Sequence, residues 1–275
     1  MTKRVLIYAN ELERSKQIKE DLLAKLADTA IEVVDEHTVP DYIVSIGGDG
    51  TLLSAFHTFK HYLNAASFIG IHTGHLGFYT DWLDTELDEV VAGIERADGE
   101  STSYPLLEVV VHYEDGKSQR KLALNELALR TPSGTVVCDV YIKDYFFETT
   151  RGDGICVATP TGSTGLNKSH GGGIIHPRLD AIQLTEMGSI NNRVYRSIGS
   201  PVIIPRDEWI VLCPKDTDSV VYSIDNMSFH EDNIKEMRVQ VASERIRFAS
   251  FRHMHFWDRV ENAFIGAKRQ DKKRD

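Results

Sequence analysis

The chain opens with short apolar runs separated by segments of helical period. Runs at 4–9, 31–35, 42–46 and 67–71 have the texture of buried strands. Between them, 12–26 and 51–63 repeat apolar residues every three or four positions, and a further helix is predicted over 84–96. This alternation predicts β-α-β units and a parallel sheet. Past Gly99 the texture changes. Runs at 107–113, 120–124, 136–143, 155–158, 210–212, 220–224, 237–241 and 246–251 read as strands, parted by turn residues such as Glu114 to Lys117. One short helix is expected after Gly162 and an amphipathic one over 255–264. The expected organisation is an α/β N-terminal domain with a parallel sheet over 1–102 and a β-rich domain over 103–252. A C-terminal helix over 253–267 and a charged, disordered tail over 268–275 follow.

The run at 42–46 breaks at Gly47, Gly48, Asp49 and Gly50, then passes through Thr51 into a helical segment. A strand, a glycine turn and a helix start make an anion site. Backbone N–H groups point outward there, and glycine lets a phosphate come close. Gly47, Gly48, Gly50 and Thr51 are therefore candidate phosphate-binding residues. Asp49 is out of place in such a cradle, because its charge repels the ligand. It either accepts a proton from an attacking hydroxyl, holds a metal, or simply caps the helix. Replacing it by Asn is expected to leave stability nearly unchanged, since Asn caps equally well.

The 275 residues suffice for two domains. A formal net charge of −10 argues against non-specific nucleic-acid or membrane binding, so an anionic ligand needs local donors. Cys138, Cys156 and Cys213 lack metal-ligand spacing and read as free thiols of a reducing compartment. The N-terminal apolar run is too short for a signal peptide, and no run approaches membrane-spanning length, which points to the cytoplasm. No G-x-G-x-x-G occurs. Gly162 to Ser169 approaches a P-loop, but Asn167 stands where glycine should precede the lysine. His57 and His61 lie four apart without a third ligand in view, and they read, like His253 and His255, as surface or packing residues.

Other segments carry potential chemistry. His72 to Trp82 follows a strand, where α/β sheets bind ligands, and Phe78 and Tyr79 can stack on a base or fill the core. Asn125 and Glu126 can satisfy sugar hydroxyls or an adenine edge. Arg151 to Gly154 sets Asp153 between glycines, as a turn or a site. Residues 158–177 offer many hydroxyl and N–H groups for a ribose or phosphate, and Asp225 lies where a strand meets a turn.

Taken together these segments resemble the bacterial NAD kinase family. The match rests on Gly47 to Leu53, His72 to Trp82, Asn125-Glu126, Gly152 to Gly154, Thr159 to Thr164, Gly172 to Pro177 and Ile190 to Arg193, in family order. The first segment alone is shared with diacylglycerol, sphingosine and phosphofructo-kinases. The resemblance implies transfer of the γ-phosphate of ATP to the 2′-hydroxyl of the adenosine ribose of NAD. It also implies a phosphofructokinase- or diacylglycerol-kinase-like N-terminal domain, a β-rich C-terminal domain with a cleft between them, and homo-oligomers, with a tetramer expected. ATP or polyphosphate is the implied donor, and Mg²⁺ or another divalent metal arrives with ATP rather than in a protein cage. By resemblance Asp49 accepts the proton and Gly50 packs beside it. Asn125 and Glu126 contact the adenosine part. Thr164, Gly165, Leu166, Asn167, Lys168 and Ser169 line the adenine and ribose pocket, and Asp225 closes the site. Arg151, Asp153 and Gly188 belong to a nicotinamide-side surface shared with a neighbouring subunit.

The chain departs from the family at Gly165-Leu166, where Ala-Tyr is common, and at Gly188, where Ala is common. Leu166→Tyr is accordingly expected to restore a stacking contact and lower KM for NAD. Two rivals stand beside this reading. One is a kinase of the same turn type acting on another hydroxyl. The other is a non-catalytic NAD(P) sensor, against which the presence of Asp49 speaks.

Overall fold

The computed structural model describes residues 2–74, 77–97, 99–131, 134–215, 219–252 and 255–266. The expected tail, 268–275, and His253 lie outside them. The chain forms two units, Met1–Ser103 with Ile246–Asp275, and Tyr104–Arg245. The β-rich part was expected to run to 252; instead the chain rejoins the first unit from Ile246 onward.

In the first unit, β1 (Arg4–Ala9), β2 (Glu32–Val33), β3 (Tyr42–Gly47), β4 (Ser67–His72) and β5 (Trp82–Leu83) pair in parallel. The helices are α1 (Glu13–Leu26), α2 (Asp49–Phe59) and α3 (Leu87–Arg96). Every residue of β3 and β4 is buried, which is why these runs are mainly apolar, Ser45, Ser67 and His72 apart, instead of alternating. Helix α2 buries Leu52, Leu53, Phe56 and Phe59, and α1 adds Leu22 and Leu26. Gly47 is the register partner of His72, so the glycine turn and the segment after His72 leave the sheet side by side at its carboxyl edge.

The second unit is built on antiparallel pairs. Its strands are β6 (Ser101–Tyr113), β7 (Ser118–Ala123), β8 (Glu126–Arg130), β9 (Val136–Ile142), β10 (Tyr145–Gly152), β11 (Gly154–Ala158), β12 (Ala181–Met187), β13 (Val202–Pro205), β14 (Trp209–Lys215), β15 (Ser219–Ile224) and β16 (Met227–Asp232), with the short α4 (Leu166–Ser169). One row runs β13-β12-β11-β8-β15-β16. A core of Leu107, Leu127, Val140, Ile155, Leu212 and Tyr222 with their neighbours fills this unit. Strands β10 and β12 lie where no strand was expected. Strand β10 exposes Tyr145 and Phe146 but buries Glu148 and Thr150, and β12 buries Gln183 and Thr185. Their polar residues point inward, which defeats a reading based on apolar alternation.

The expected strands at 237–241 and 246–251 are one strand, β17 (Ile234–Ala249). Its first part pairs with β14, and Phe248 pairs with Phe68 of β4. Helix α5 (Phe256–Phe264) ends the described chain. Among the described residues no helix is long and apolar enough to cross a membrane.

Candidate active site

The glycine turn is set by Gly47. Its φ is +152°, and a Cβ there would lie 2.2 Å from Thr51 Oγ1. That hydroxyl instead accepts from Asn10 Nδ2 at 2.9 Å, which ties the end of β1 to the first turn of α2. Gly48 is the N-cap residue and Asp49 the first residue of α2. Gly48 and Gly50 are exposed, and a Cβ on either would meet nothing within 4 Å. The helix start is therefore open to an anion at the positive end of the α2 dipole.

The Asp49 carboxylate does not cap the helix. Oδ2 accepts from Phe78 N at 2.7 Å and Oδ1 from Tyr79 N at 3.0 Å. Gly77 makes the approach possible, because a Cβ there would lie 2.1 Å from Oδ1. Each oxygen keeps a further lone pair for a hydroxyl proton or a cation. Phe78 stays partly exposed, whereas Tyr79 is buried and stacks on Phe248 at 5.9 Å between ring centroids. Of the two alternatives for these aromatics, Tyr79 belongs to the core.

In the second unit a polar knot surrounds the start of β8. Asp225 has φ +52° and is buried. Its carboxylate accepts from Leu124 N at 2.9 Å, Asn125 N at 2.7 Å and Glu126 N at 3.2 Å. Three N–H donors stabilise the buried charge. Thr159 and Thr161 both donate to Leu124 O, at 2.6 and 3.0 Å. Glu126 Oε2 is buried without a hydrogen-bond partner, and a Cβ on Gly165 would lie 3.6 Å from it. Burial, assisted by the Asp225 charge, pushes the Glu126 carboxyl up to about 8. At neutral pH it is mostly protonated and can donate as well as accept.

Residues 164–169 do not share one environment. Gly165, Lys168 and Ser169 are exposed, and Thr164 Oγ1 donates to Thr161 O at 3.0 Å. Asn167 is fully buried: Nδ2 donates to Gln183 Oε1 at 3.1 Å, and Oδ1 accepts from Thr185 Oγ1 at 2.6 Å. It organises the loop from within and does not line a pocket. Leu166 packs against Ala128, Cys156, Ala158 and Met187, so its side chain faces the protein. Gly188 has φ +55°, and a Cβ there would lie 2.4 Å from Asp153 Oδ2. Arg151 lies 4.4 Å from the Tyr195 ring centroid. Arg151, Asp153 and Gly188 are thus gathered at one end of β10–β12. Sequence reasoning missed Asn10 and Gln183, whose partners, Thr51 and Asn167, are remote in the chain.

Comparison with known proteins agrees with these motifs. The ATP-NAD kinase N-terminal domain profile matches residues 9–98, and the C-terminal domain profile matches 124–250. The NAD kinase of Latilactobacillus sakei subsp. sakei (strain 23K) is 51% identical over 97% of this chain and 99% of its own. That of Enterococcus faecalis (strain ATCC 700802 / V583) is 48% identical over 96% of this chain and 99% of its own. Yeast NADH kinase, solved with NADH, has the same fold at TM-score 0.83 and 22% identity, covering 98% of this chain and 90% of its own. With two matched domains and relatives near half identity along nearly its whole length, the chain belongs to the ATP-NAD kinase family.

Proposed function

We propose that Asp49 is the proton acceptor of an NAD kinase reaction. The protein transfers the γ-phosphate of ATP to the 2′-hydroxyl of the adenosine ribose of NAD, giving NADP. The observation that carries the role of Asp49 is its fixation by two backbone N–H groups beside glycines open to solvent. A ribose hydroxyl is a weak nucleophile, and positioning with charge neutralisation does most of the work in phosphoryl transfer. Asp49 orients the hydroxyl and takes its proton. The N–H groups of the turn and the α2 dipole offset phosphate charge. Asn125 and a protonated Glu126 recognise polar groups of the adenosine part, Asp225 holds their backbone, and Gly165, Lys168 and Ser169, exposed on a loop that Asn167 braces from within, flank the same pocket. Among the described residues no group of three or more His, Cys, Asp or Glu forms a metal cage. Asp49 fits a divalent ion carried in by ATP, to which it can offer one oxygen. Such an ion supplies charge neutralisation.

Arg151, Asp153 and Gly188 form the nicotinamide-side surface completed by a second copy of the chain. The segment after Gly188 exposes Val194 at 78%, Ile198 and Tyr195, apolar area suited to such a contact. The protein works as a homo-oligomer, with a tetramer expected, in the cytoplasm. One assay tests the reaction: ATP, polyphosphate or neither, with Mg²⁺ and NAD, NADH, a diacylglycerol or a sugar phosphate. Phosphorylation of NAD is expected, and turnover of a lipid or sugar acceptor alone would overturn it. A fully active monomer in sedimentation would overturn the shared site.

A further inference from the structure

Asp49 and Arg259 hold the same two peptide groups from opposite ends. The N–H groups of Phe78 and Tyr79 donate to Asp49. The carbonyls of those same peptide units belong to Gly77 and Phe78, and both accept from Arg259 Nη1, at 3.4 and 2.6 Å. Arg259 Nη2 is ion-paired with Asp81. In a trans peptide the C=O and N–H bonds lie in one plane and point in opposite directions. A cation on the oxygen and an anion on the hydrogen polarise that unit in the same sense, so each strengthens the other's hydrogen bond. Arg259 is 4% exposed, so little water screens its charge.

A buried ion pair with Asp81 would by itself be enough to anchor α5. The guanidinium does more, because its other nitrogen reaches the two carbonyls behind the Asp49 donors. The Phe264 ring lies 6.0 Å from that of Phe78 and adds a second contact from α5 to the same segment. We infer that Arg259 is a positioning residue. Through the peptide units 77–78 and 78–79 it fixes the direction and strength of the two N–H donors, and so holds the Asp49 carboxylate ready for the ribose hydroxyl. The inference rests on the proposed role of Asp49.

The test is a double-mutant cycle on the full-length protein, with kcat and KM for NAD at saturating ATP and Mg²⁺. Arg259→Met is expected to lower kcat about 30-fold, with KM changed less than about threefold, the pattern of a group acting in the transition state. Arg259→Lys keeps the cation and is expected to lose less than about tenfold. In the Asp49→Asn background, Arg259→Met is expected to change the residual kcat by less than about threefold, since residues acting as a unit are not additive. Arg259→Met removes the buried ion pair with Asp81, so Arg259→Met with Asp81→Asn serves as the variant in which both charges of the pair are gone. It is expected to show the same fall in kcat with the melting temperature largely restored. Normal kcat in that folded double variant, or an equal fold-loss in both Asp49 backgrounds, overturns the inference. If Asp49→Asn itself keeps more than about a tenth of kcat, the role of Asp49 fails first, and the inference fails with it.

Discussion

Gly48 and Gly50 in the first unit face open space, whereas Gly162 and Gly172 in the second unit lie where a Cβ would strike its neighbours. The collisions would be with Asn125 O and Asn167 Nδ2, each at 2.1 Å. Two glycine-rich segments that look alike in the sequence thus use glycine for different ends. In the turn, the missing side chain leaves the helix start open to solvent. In the loop, it admits the protein's own backbone and a buried amide. The carboxylates follow the same division. Asp49 is partly exposed and keeps lone pairs to spare. Asp225 is buried, and three N–H groups share its two oxygens.

The strongest test of the contrast is Asp49→Asn. Loss of a general base lowers kcat by about 10²–10⁴-fold, with NAD binding retained, as steady-state kinetics and titration calorimetry would show. Retention of more than about a tenth of kcat would refute the role. The variant will also melt earlier, contrary to the expectation from capping. An amide must turn its NH₂ toward Phe78 N or Tyr79 N, leaving a donor without an acceptor at a cost of about 1–3 kcal/mol.

The glycines sharpen the comparison next. Gly162→Ala presses a methyl into the Asn125 carbonyl and is expected to cost about 3 kcal/mol, read as a lower melting temperature. Gly48→Ala should move stability by no more than about 0.5 kcal/mol, since its φ is −103° and its surroundings are empty. Its penalty is expected instead on kcat/KM for ATP, about tenfold, because the methyl would fill the open helix start proposed to receive a phosphate. Equal melting temperatures for the two variants would erase the distinction.

Glu126 gives a smaller, pH-dependent effect. Its carboxyl titrates at about 8 when folded against 4.5 as a free side chain. Between these values the folded state binds one proton more, so this group makes stability fall as pH rises from 4.5 to about 8. Glu126→Gln removes that slope. Relative to wild type it should gain about 2–4 kcal/mol across the window, measured by urea unfolding at each end. A pH-independent difference would mean that Glu126 is ionised in the folded protein.

Leu166→Tyr should have the smallest effect. Because Leu166 packs inward, the larger ring costs about 1–2 kcal/mol of stability. KM for NAD should shift less than about twofold, not fall as a missing stacking partner would require. A clear drop in KM would show that the ring swings out toward the base.

The parallel sheet was legible because β3 and β4 are buried on both faces and therefore carry apolar runs at 42–44 and 68–71 that do not alternate. The glycine turn was legible because few local sequences join strand to helix with an acid between glycines. Strand β10 was not, since Tyr145 and Phe146 face outward while Glu148 lies inside and accepts from Ile198 N at 2.7 Å. Asn167 entered the pocket only through the family resemblance; its buried role could not be read locally, because its partners, Gln183 and Thr185, lie on a strand that was not expected. Arg259 left no local trace. On a charged amphipathic helix it looks like any solvated arginine, and only the fold brings it to Asp81, 178 positions earlier.

Strand β17 bears on how the protein is made. The ribosome begins the first unit, then spells out all of Tyr104–Arg245 before it supplies Phe248, the partner of Phe68, and later Arg259. At about 5–20 residues per second, the unit carrying Asp49 waits on the order of ten seconds or more for its last strand and its clamp. The second unit has no such wait, and can acquire its core while the first is still incomplete. A nascent chain that stops before Arg259 therefore lacks the grip on Gly77 and Phe78.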